Sequence, residues 1–243
     1  MQTLERLAVF NPRPQIERVR LPNGQFCYVI DEALVDPDAL VQFAVANRAA
    51  FSPVNFSAYP GHYLEMPAPI AECLNDFFAQ HARRAFDAHS TLHVQCRLSL
   101  VTLPPQALRP YQSICHADGR HVEAGHSIQA SVLYLFKDES LGGTSFYEPV
   151  RSALETDRLF HDAGTLSSEA FTQKYGIVRG YICASNDWFA HIGRVAAKWN
   201  RIIFYDGAML HSGDIFVPEK LSADPLSGRL TLNGFFTSRR NVL

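Results

Sequence analysis

Residues 228–238 read GRLTLNGFFTS and residues 127–136 read SIQASVLYLF. Each is a short apolar and β-branched run bounded by turn formers. The same texture recurs in HVQCRLSLVTL (93–103), PYQSICHAD (110–118), GGTSFYEP (142–149), NRIIFYD (200–206) and HSGDIFV (211–217). Strands at this rhythm predict an all-β sandwich or barrel.

Upstream the texture differs. Residues 1–24 are rich in turn formers, and residues 26–30 (FCYVI) read as a strand. Residues 36–51 predict a helix, with Asp36 as N-cap and Pro37 at the first helical position. Residues 51–69 carry Pro53, Asn55, Pro60, Gly61, Pro67 and Pro69 and read as a long surface loop. Residues 70–89 predict a second helix with Ile70, Leu74, Phe77, Phe78, Ala82 and Phe86 on one side. The fold class expected is therefore mainly β with N-terminal helices (α+β), the helices stacked on one side of the β core. We expect one domain over 1–243: a strand and helix support (1–95), then a core (96–240) interrupted by an insertion (151–198) with a helix near 167–175.

Composition narrows the function classes. The 243 residues carry a net charge of −2, with 47% hydrophobic and 19% charged residues. That balance gives no electrostatic reason for a nucleic-acid partner or a membrane surface. No apolar run reaches the roughly 18 residues of a membrane helix, and residues 1–20 lack the apolar stretch of a secretory signal. Cys27, Cys73, Cys96, Cys115 and Cys183 are scattered with no CxxC, so neither a disulfide framework nor a zinc knuckle is expected. A reducing cytoplasm is the expected location.

Two triplets combine a histidine with an acid two positions on: His116-Ala-Asp118 and His121-Val-Glu123. With 10 His and 24 acidic residues, chance supplies about one such triplet. Context favours the first, because it closes a strand-like run while His121 lies in a glycine-flanked loop. On a strand, residues two apart share a face, so His116 and Asp118 can grip one ion and leave its far side open. The best third ligand is His211, after the strand-like residues 200–206. Two His and one carboxylate suit non-haem Fe(II) with a chelating cosubstrate and O2.

Arg229 and Thr231 share a face of the final strand. A guanidinium with a hydroxyl beside it can hold the far carboxylate of 2-oxoglutarate while its keto-acid end chelates iron. A strand-surface arginine in a salt bridge is the bland alternative.

PYQSICHAD, then SVLYLFKDESLGGTSFYEP, NRIIFYDGAMLHSG and RLTLNGFF together resemble the double-stranded β-helix (jelly-roll, cupin-like) core of the 2-oxoglutarate/Fe(II)-dependent dioxygenases, in their prolyl 4-hydroxylase-like branch. The likeness covers about residues 96–240, and the chain resembles an uncharacterised bacterial side-branch. The resemblance implies that His116, Asp118 and His211 bind iron, that Arg229 and Thr231 bind the cosubstrate, and that Tyr134 donates its hydroxyl to the same carboxylate. Gly142-Gly143-Thr144 matches a hairpin element of the group. There are departures. Phe136 stands where the group has Asn. A loop at 215–228 lengthens the distance from His211 to Arg229, which leaves Arg239 and Arg240 as rival anchors.

The implied cofactors are Fe(II), 2-oxoglutarate and O2. The implied reaction is hydroxylation of a peptide or protein side chain, or of a small amino-acid-like molecule, with release of succinate and CO2. A cupin-like metal enzyme that does not use 2-oxoglutarate, and a non-catalytic binding module, remain open. So does the oligomeric state, a homodimer included. Residues 51–69, and the insertion around Asn186, Trp188, Phe189 and His191, carry the aromatic residues of a substrate lid or of plain packing.

Overall fold

Two short strands, β1 (Ile16–Arg20) and β2 (Phe26–Ile30), pair antiparallel around Gly24, whose φ of 84° suits the turn. β1 lies in the stretch read as turns. Its residues are mostly exposed and charged, so they carry no apolar alternation. Asp36 then caps helix α1 (Pro37–Ala46) by accepting from the Ala39 N–H at 3.2 Å, with Pro37 in the first turn as expected. The helix ends short of 51, and residues 48–50 form a 3-10 turn.

The computed structural model describes residues 7–54, 58–119 and 122–240. The expected loop at 51–69 is only partly a loop. It contains β3 (Ser52–Pro53) and β4 (Gly61–Glu65), which joins the main sheet beside β5 (Ala88–Val101). Gly61 makes that possible, since a Cβ there would meet the Leu100 carbonyl oxygen at 1.9 Å. Between β4 and β5 runs α2 (Ala68–His81), followed by a 3-10 turn at Arg83–Phe86. β5 spans the 95/96 boundary between support and core, so that division falls inside one strand.

The rest of the chain is β6 (His126–Tyr134), β7 (Thr144–Pro149), helices α3 (Ala153–Thr165) and α4 (Ser168–Tyr175), β8 (Phe189–Val195), β9 (Ile202–Asp206), β10 (Leu210–Gly213) and β11 (Arg229–Arg240). The helix expected near 167–175 is α4; α3 was not foreseen, although Ser152 and Glu155 form a capping box at its start. The insertion is also shorter than 151–198, because β8 pairs with β7.

All strand pairs are antiparallel. One eight-stranded sheet has the order β1-β2-β9-β6-β11-β5-β4-β3, and a three-stranded sheet has the order β10-β7-β8. The large sheet separates two environments by the period-two rule. Its even-numbered positions Leu98, Leu100, Phe204, Leu230, Leu232 and Phe236 pack with Leu40, Val41, Leu74 and Phe78 of α1 and α2. Phe78 stacks on Phe236 with ring centroids 4.1 Å apart, and each such buried ring contributes about 1.5–3 kcal/mol. The helices thus occupy one face of the sheet, as expected. The other face meets the small sheet through Ala130, Tyr134 and Tyr205 against Phe146 and Val195. A cavity opens on that face. Among the described residues no helix is long and apolar enough to cross a membrane, and none of the five cysteines is in a disulfide, Cys27, Cys96 and Cys115 being buried.

Candidate metal centre and its cavity

The run PYQSICHAD is not the regular strand expected. Pro110 has no N–H for a ladder, and residues Pro110–Gln112 form a 3-10 turn in which the Gln112 side chain accepts from the Arg109 N–H at 2.9 Å. Ile114 and Cys115 then bury themselves with Leu159, Phe171, Phe189 and Tyr147. The helical insertion therefore buttresses the segment that leads into the site. At His116 the chain becomes locally extended and forms a single bridge with His211: each backbone N–H donates to the other's carbonyl, at 3.0 and 2.8 Å. Two residues on, the Asp118 N–H donates to Gly207 O at 2.8 Å. The consequence inferred from a strand, two side chains on one side, holds without the strand.

His116, Asp118 and His211 come together, with one potential ligand atom of each lying within 4.8 Å of the others. His116 Nε2 is 3.7 Å from Asp118 Oδ1, and His211 Nε2 is 3.4 Å from Asp118 Oδ2. Ligand atoms about 2.0–2.2 Å from one ion sit about 3 Å apart at right angles, so little closure is needed. The His211 Nδ1 lies 2.9 Å from the Met209 carbonyl oxygen. A carbonyl only accepts, so Nδ1 carries the proton and the Nε2 lone pair faces Asp118. The Tyr205 ring packs edge-on against His211 at 4.7 Å.

The electrostatics suit a cation. Burial pushes the Asp118 carboxyl above the usual carboxylate range, opposed by His211 and Arg97. Burial, helped by His211, pushes the His116 imidazole down to about 3, so it is a neutral lone-pair donor at neutral pH. Asp118 Oδ2 is buried without a hydrogen-bond partner among the described residues. A buried, unmatched carboxylate oxygen between two imidazoles is costly as it stands, and the N, N, O set fits a divalent ion. His121 of the rival triplet lies outside the described residues.

These three side chains open onto a cavity of about 430 Å³. Arg229, at the start of β11, is 4% exposed and lines it. Its Nε donates to the carbonyl oxygens of Leu141 and Gly142, both at 3.1 Å, and its Nη2 donates to Gly143 O at 2.7 Å. The glycines, expected to serve the turn, therefore also hold the guanidinium. Gly142 has φ 87°, and a Cβ on Gly143 would lie 2.0 Å from Val195 O, so only glycine brings these carbonyls to the guanidinium. Of five N–H donors, those carbonyls use the two on one edge. The end-on pair, one on each terminal nitrogen, has no partner among the described residues. Phe136, the departure from the resembled pattern, lies under the guanidinium at 5.7 Å.

Thr231 lines the same cavity beside Tyr59. Tyr134 does not line it: fully buried, it places its hydroxyl 2.9 Å from Thr144 Oγ1, and Thr144 is the residue that reaches the cavity. Arg239 and Arg240 are exposed at the far end of β11, about 33 Å along the strand from Arg229 at about 3.3 Å per residue. Ala58, Tyr59, Pro60 and Tyr63 from the expected lid line the cavity, whereas Asn55 lies outside the described residues. Asn186, Trp188, Phe189 and His191 do not line it. Phe189 is fully buried against the insertion, and His191 sits 3.1 Å from Ser145 Oγ.

Sequence reading missed Arg97, Asn233, Phe235 and Tyr181, all in the cavity wall. The signal for two of them was present: Thr231, Asn233, Phe235 and Thr237 alternate along the face that carries Arg229. Arg97 follows only from the register, which sets it opposite Asn233. Tyr181, from the insertion, had no such periodicity; its hydroxyl donates to Leu103 O at 2.6 Å.

Residues 12–236 match the model of a family of unknown function, DUF6445. No curated protein matches the chain. Among solved structures, a Pseudomonas putida prolyl-4-hydroxylase is similar at 12% identity, covering 90% of this chain and 95% of that one, with a TM-score of 0.42. EvdO2 from Micromonospora carbonacea var. aurantiaca is similar at 10% identity, 91% and 89% coverage and a TM-score of 0.46. HygX from Streptomyces hygroscopicus, with nickel, 2-oxoglutarate and hygromycin B bound, is similar at 10% identity, 91% and 85% coverage and a TM-score of 0.43. At these TM-scores the likenesses are distant ones of chain path.

Proposed function

The chain belongs to DUF6445, a family of unknown function, and we propose that it is a 2-oxoglutarate- and Fe(II)-dependent dioxygenase that hydroxylates a peptide or protein side chain or a small amino-acid-like molecule, releasing succinate and CO2. One observation carries the reading: His116, Asp118 and His211 converge in the same cavity that buries Arg229 with its end-on donors unspent. On this reading the two antiparallel sheets are the halves of a double-stranded β-helix.

His116 Nε2, His211 Nε2 and the Asp118 carboxylate would hold the ion on one side, leaving its other positions to ligands. When bound, ferrous iron supplies the O2 chemistry that couples decarboxylation of 2-oxoglutarate to substrate hydroxylation. The protein's work is placement. Met209 O fixes the His211 tautomer and Gly207 O fixes the Asp118 backbone. The Arg229 fork receives the distal carboxylate of the cosubstrate, with Thr231 on the same strand face. Tyr134 acts one step back, orienting the Thr144 hydroxyl at the cavity wall. The carbonyls of Leu141, Gly142 and Gly143 hold Arg229 without neutralising it, which keeps its full charge for an incoming carboxylate.

The test is spectroscopic. Fe(II) and 2-oxoglutarate added anaerobically should give a weak visible charge-transfer band. His116→Ala should abolish it, and Arg229→Ala should raise the 2-oxoglutarate concentration needed by about tenfold or more. A band that forms without 2-oxoglutarate, or no band at all, would overturn the reading.

A further inference from the structure

A second guanidinium faces the same cavity. Arg97 lies on β5 four residues from Val101, the ladder partner of Arg229, which places the two arginines about 13 Å apart along the strands at about 3.3 Å per residue. The Arg97 side chain is 15% exposed. Its Nη2 donates to Gln95 Oε1 at 2.8 Å. Its Nε is buried and makes no hydrogen bond among the described residues. The Glu65 carboxylate is 3.6 Å from Nε, beyond hydrogen-bond reach, and is 70% exposed. The guanidinium sits between two rings, 4.7 Å from the Tyr63 centroid and 5.2 Å from that of Phe235, which restrict its plane.

Directly across the ladder stands Asn233. Its Nδ2 donates to Ser99 Oγ at 3.1 Å, which identifies Oδ1 as the acceptor left over. That Oδ1 is buried with no hydrogen-bond partner among the described residues. Arg97 and Asn233 line the cavity together with His116 and Asp118. A buried Nε–H, ion-paired only with an exposed carboxylate, and a buried neutral acceptor therefore sit side by side on neighbouring strands, neither with a hydrogen-bond partner among the described residues. Buried polar groups are rarely left so, and a site built this way selects a ligand that meets both.

We propose that Arg97 and Asn233 anchor a small substrate bearing a free α-carboxylate and an α-amine: the carboxylate takes the Arg97 guanidinium, and the amine N–H donates to Asn233 Oδ1. The two ligand groups are joined through one carbon, which suits side chains on directly opposed residues of neighbouring strands. An internal peptide amide also offers an acceptor and a donor but brings no charge to Arg97, so a free amino acid is the better match. That this ligand is a substrate rests on the dioxygenase reading; that it binds here does not.

Saturation-transfer NMR on the metal-free protein tests the anchor, using a pool of the common L-amino acids and a matched pool of their α-amides. One or a few acids should show transfer, and their amides should bind about tenfold more weakly or worse, the loss of one charge-assisted pair. Arg97→Gln should lose the acids, while Arg97→Lys, which keeps charge and stem, should lose less; a melting curve checks that each is folded. Acid and amide binding equally, Arg97→Gln binding like the parent, or no acid binding would each overturn the anchor. The Fe(II) and 2-oxoglutarate band of the unsubstituted protein is read separately. Acid binding without that band would sink the dioxygenase reading alone, and the band without acid selectivity would sink the anchor alone.

Discussion

Arg229 Nη2 donates to the carbonyl oxygen of Gly143 at 2.7 Å, so a buried cation is held by neutral backbone and not by a carboxylate. Together with the carbonyls of Leu141 and Gly142, this orients the guanidinium and leaves its charge uncancelled. The arrangement suits an anion, as the role proposed for Arg229 requires. A structural salt bridge, the bland alternative for this arginine, would have spent it.

Gly143→Ala tests how closely that grip depends on a missing side chain. A Cβ would come within 2.0 Å of Val195 O and 2.7 Å of Ala197 N. Backbone must move, and we expect a stability loss of about 2–4 kcal/mol. Where the variant still folds, its 2-oxoglutarate affinity should fall as that of Arg229→Ala does. Urea melts and a binding titration measure the two effects.

Asp118→Asn should separate the cost of the carboxylate from its use. Burial raises the Asp118 carboxyl in the folded state, so the folded protein holds its proton to higher pH than the unfolded chain does. Stability is then lost as pH rises through and above the unfolded value of about 3.9. In metal-free protein the Asn variant should melt above the parent at pH 7, and the gap should close toward about pH 4. Adding Co(II) as a stand-in should reverse the order at pH 7, because only the parent gains ligand stabilisation. A parent more stable than the variant without metal would show that the carboxylate is satisfied by the protein itself.

Asn200 joins two distant loops. Its Oδ1 accepts from the Leu34 N–H and its Nδ2 donates to Leu34 O, both at 2.9 Å, and the residue is buried in the left-handed region at φ 60°. Asn200→Ala should cost about 2–4 kcal/mol, from two buried hydrogen bonds and a strained backbone. Asn200→Gly should cost about 1 kcal/mol less, since glycine accepts that φ freely. Equal losses in chemical denaturation would mean that the backbone conformation contributes nothing.

Asp31 ties the end of β2 to the start of β9. Arg201 Nε reaches Oδ1 at 2.6 Å and Lys198 Nζ reaches Oδ2 at 2.7 Å. Arg201 foremost, with Lys198, holds the Asp31 carboxyl below its usual range. A lowered folded value gives stability that is present above the unfolded value of about 3.9 and is lost as pH falls through the folded one. Because the carboxylate is 37% exposed, Asp31→Asn should cost only about 0.5–1 kcal/mol at pH 7. Parent and variant should converge in acid, which guanidinium melts at pH 7 and pH 3 would show.

Much of the frame was legible because its causes are local. Asp36-Pro37 capped α1, residues 26–30 formed β2, and the alternation from Arg229 onward marked β11 and its cavity face. His116, Asp118 and His211 were legible as residue types and order. PYQSIC misled because its apolar content came from buttressing against the insertion, not from a ladder. β4 was hidden because proline and glycine around it signal turns, while Gly61 is there to let two backbones approach.

What the chain determined by itself was therefore which segments extend, which coil and which side chains could ligate: these follow from propensity and period over a few residues. Only the tertiary structure decided that the Gly142 and Gly143 carbonyls orient Arg229, that Tyr134 stops one residue short of the cavity, and that Asn233 faces Arg97. Each of these depends on strand register, which is set by where antiparallel partners align. Asn233 meets Ser99 from 134 positions away, and a slip of one residue would turn every one of these side chains to the opposite face.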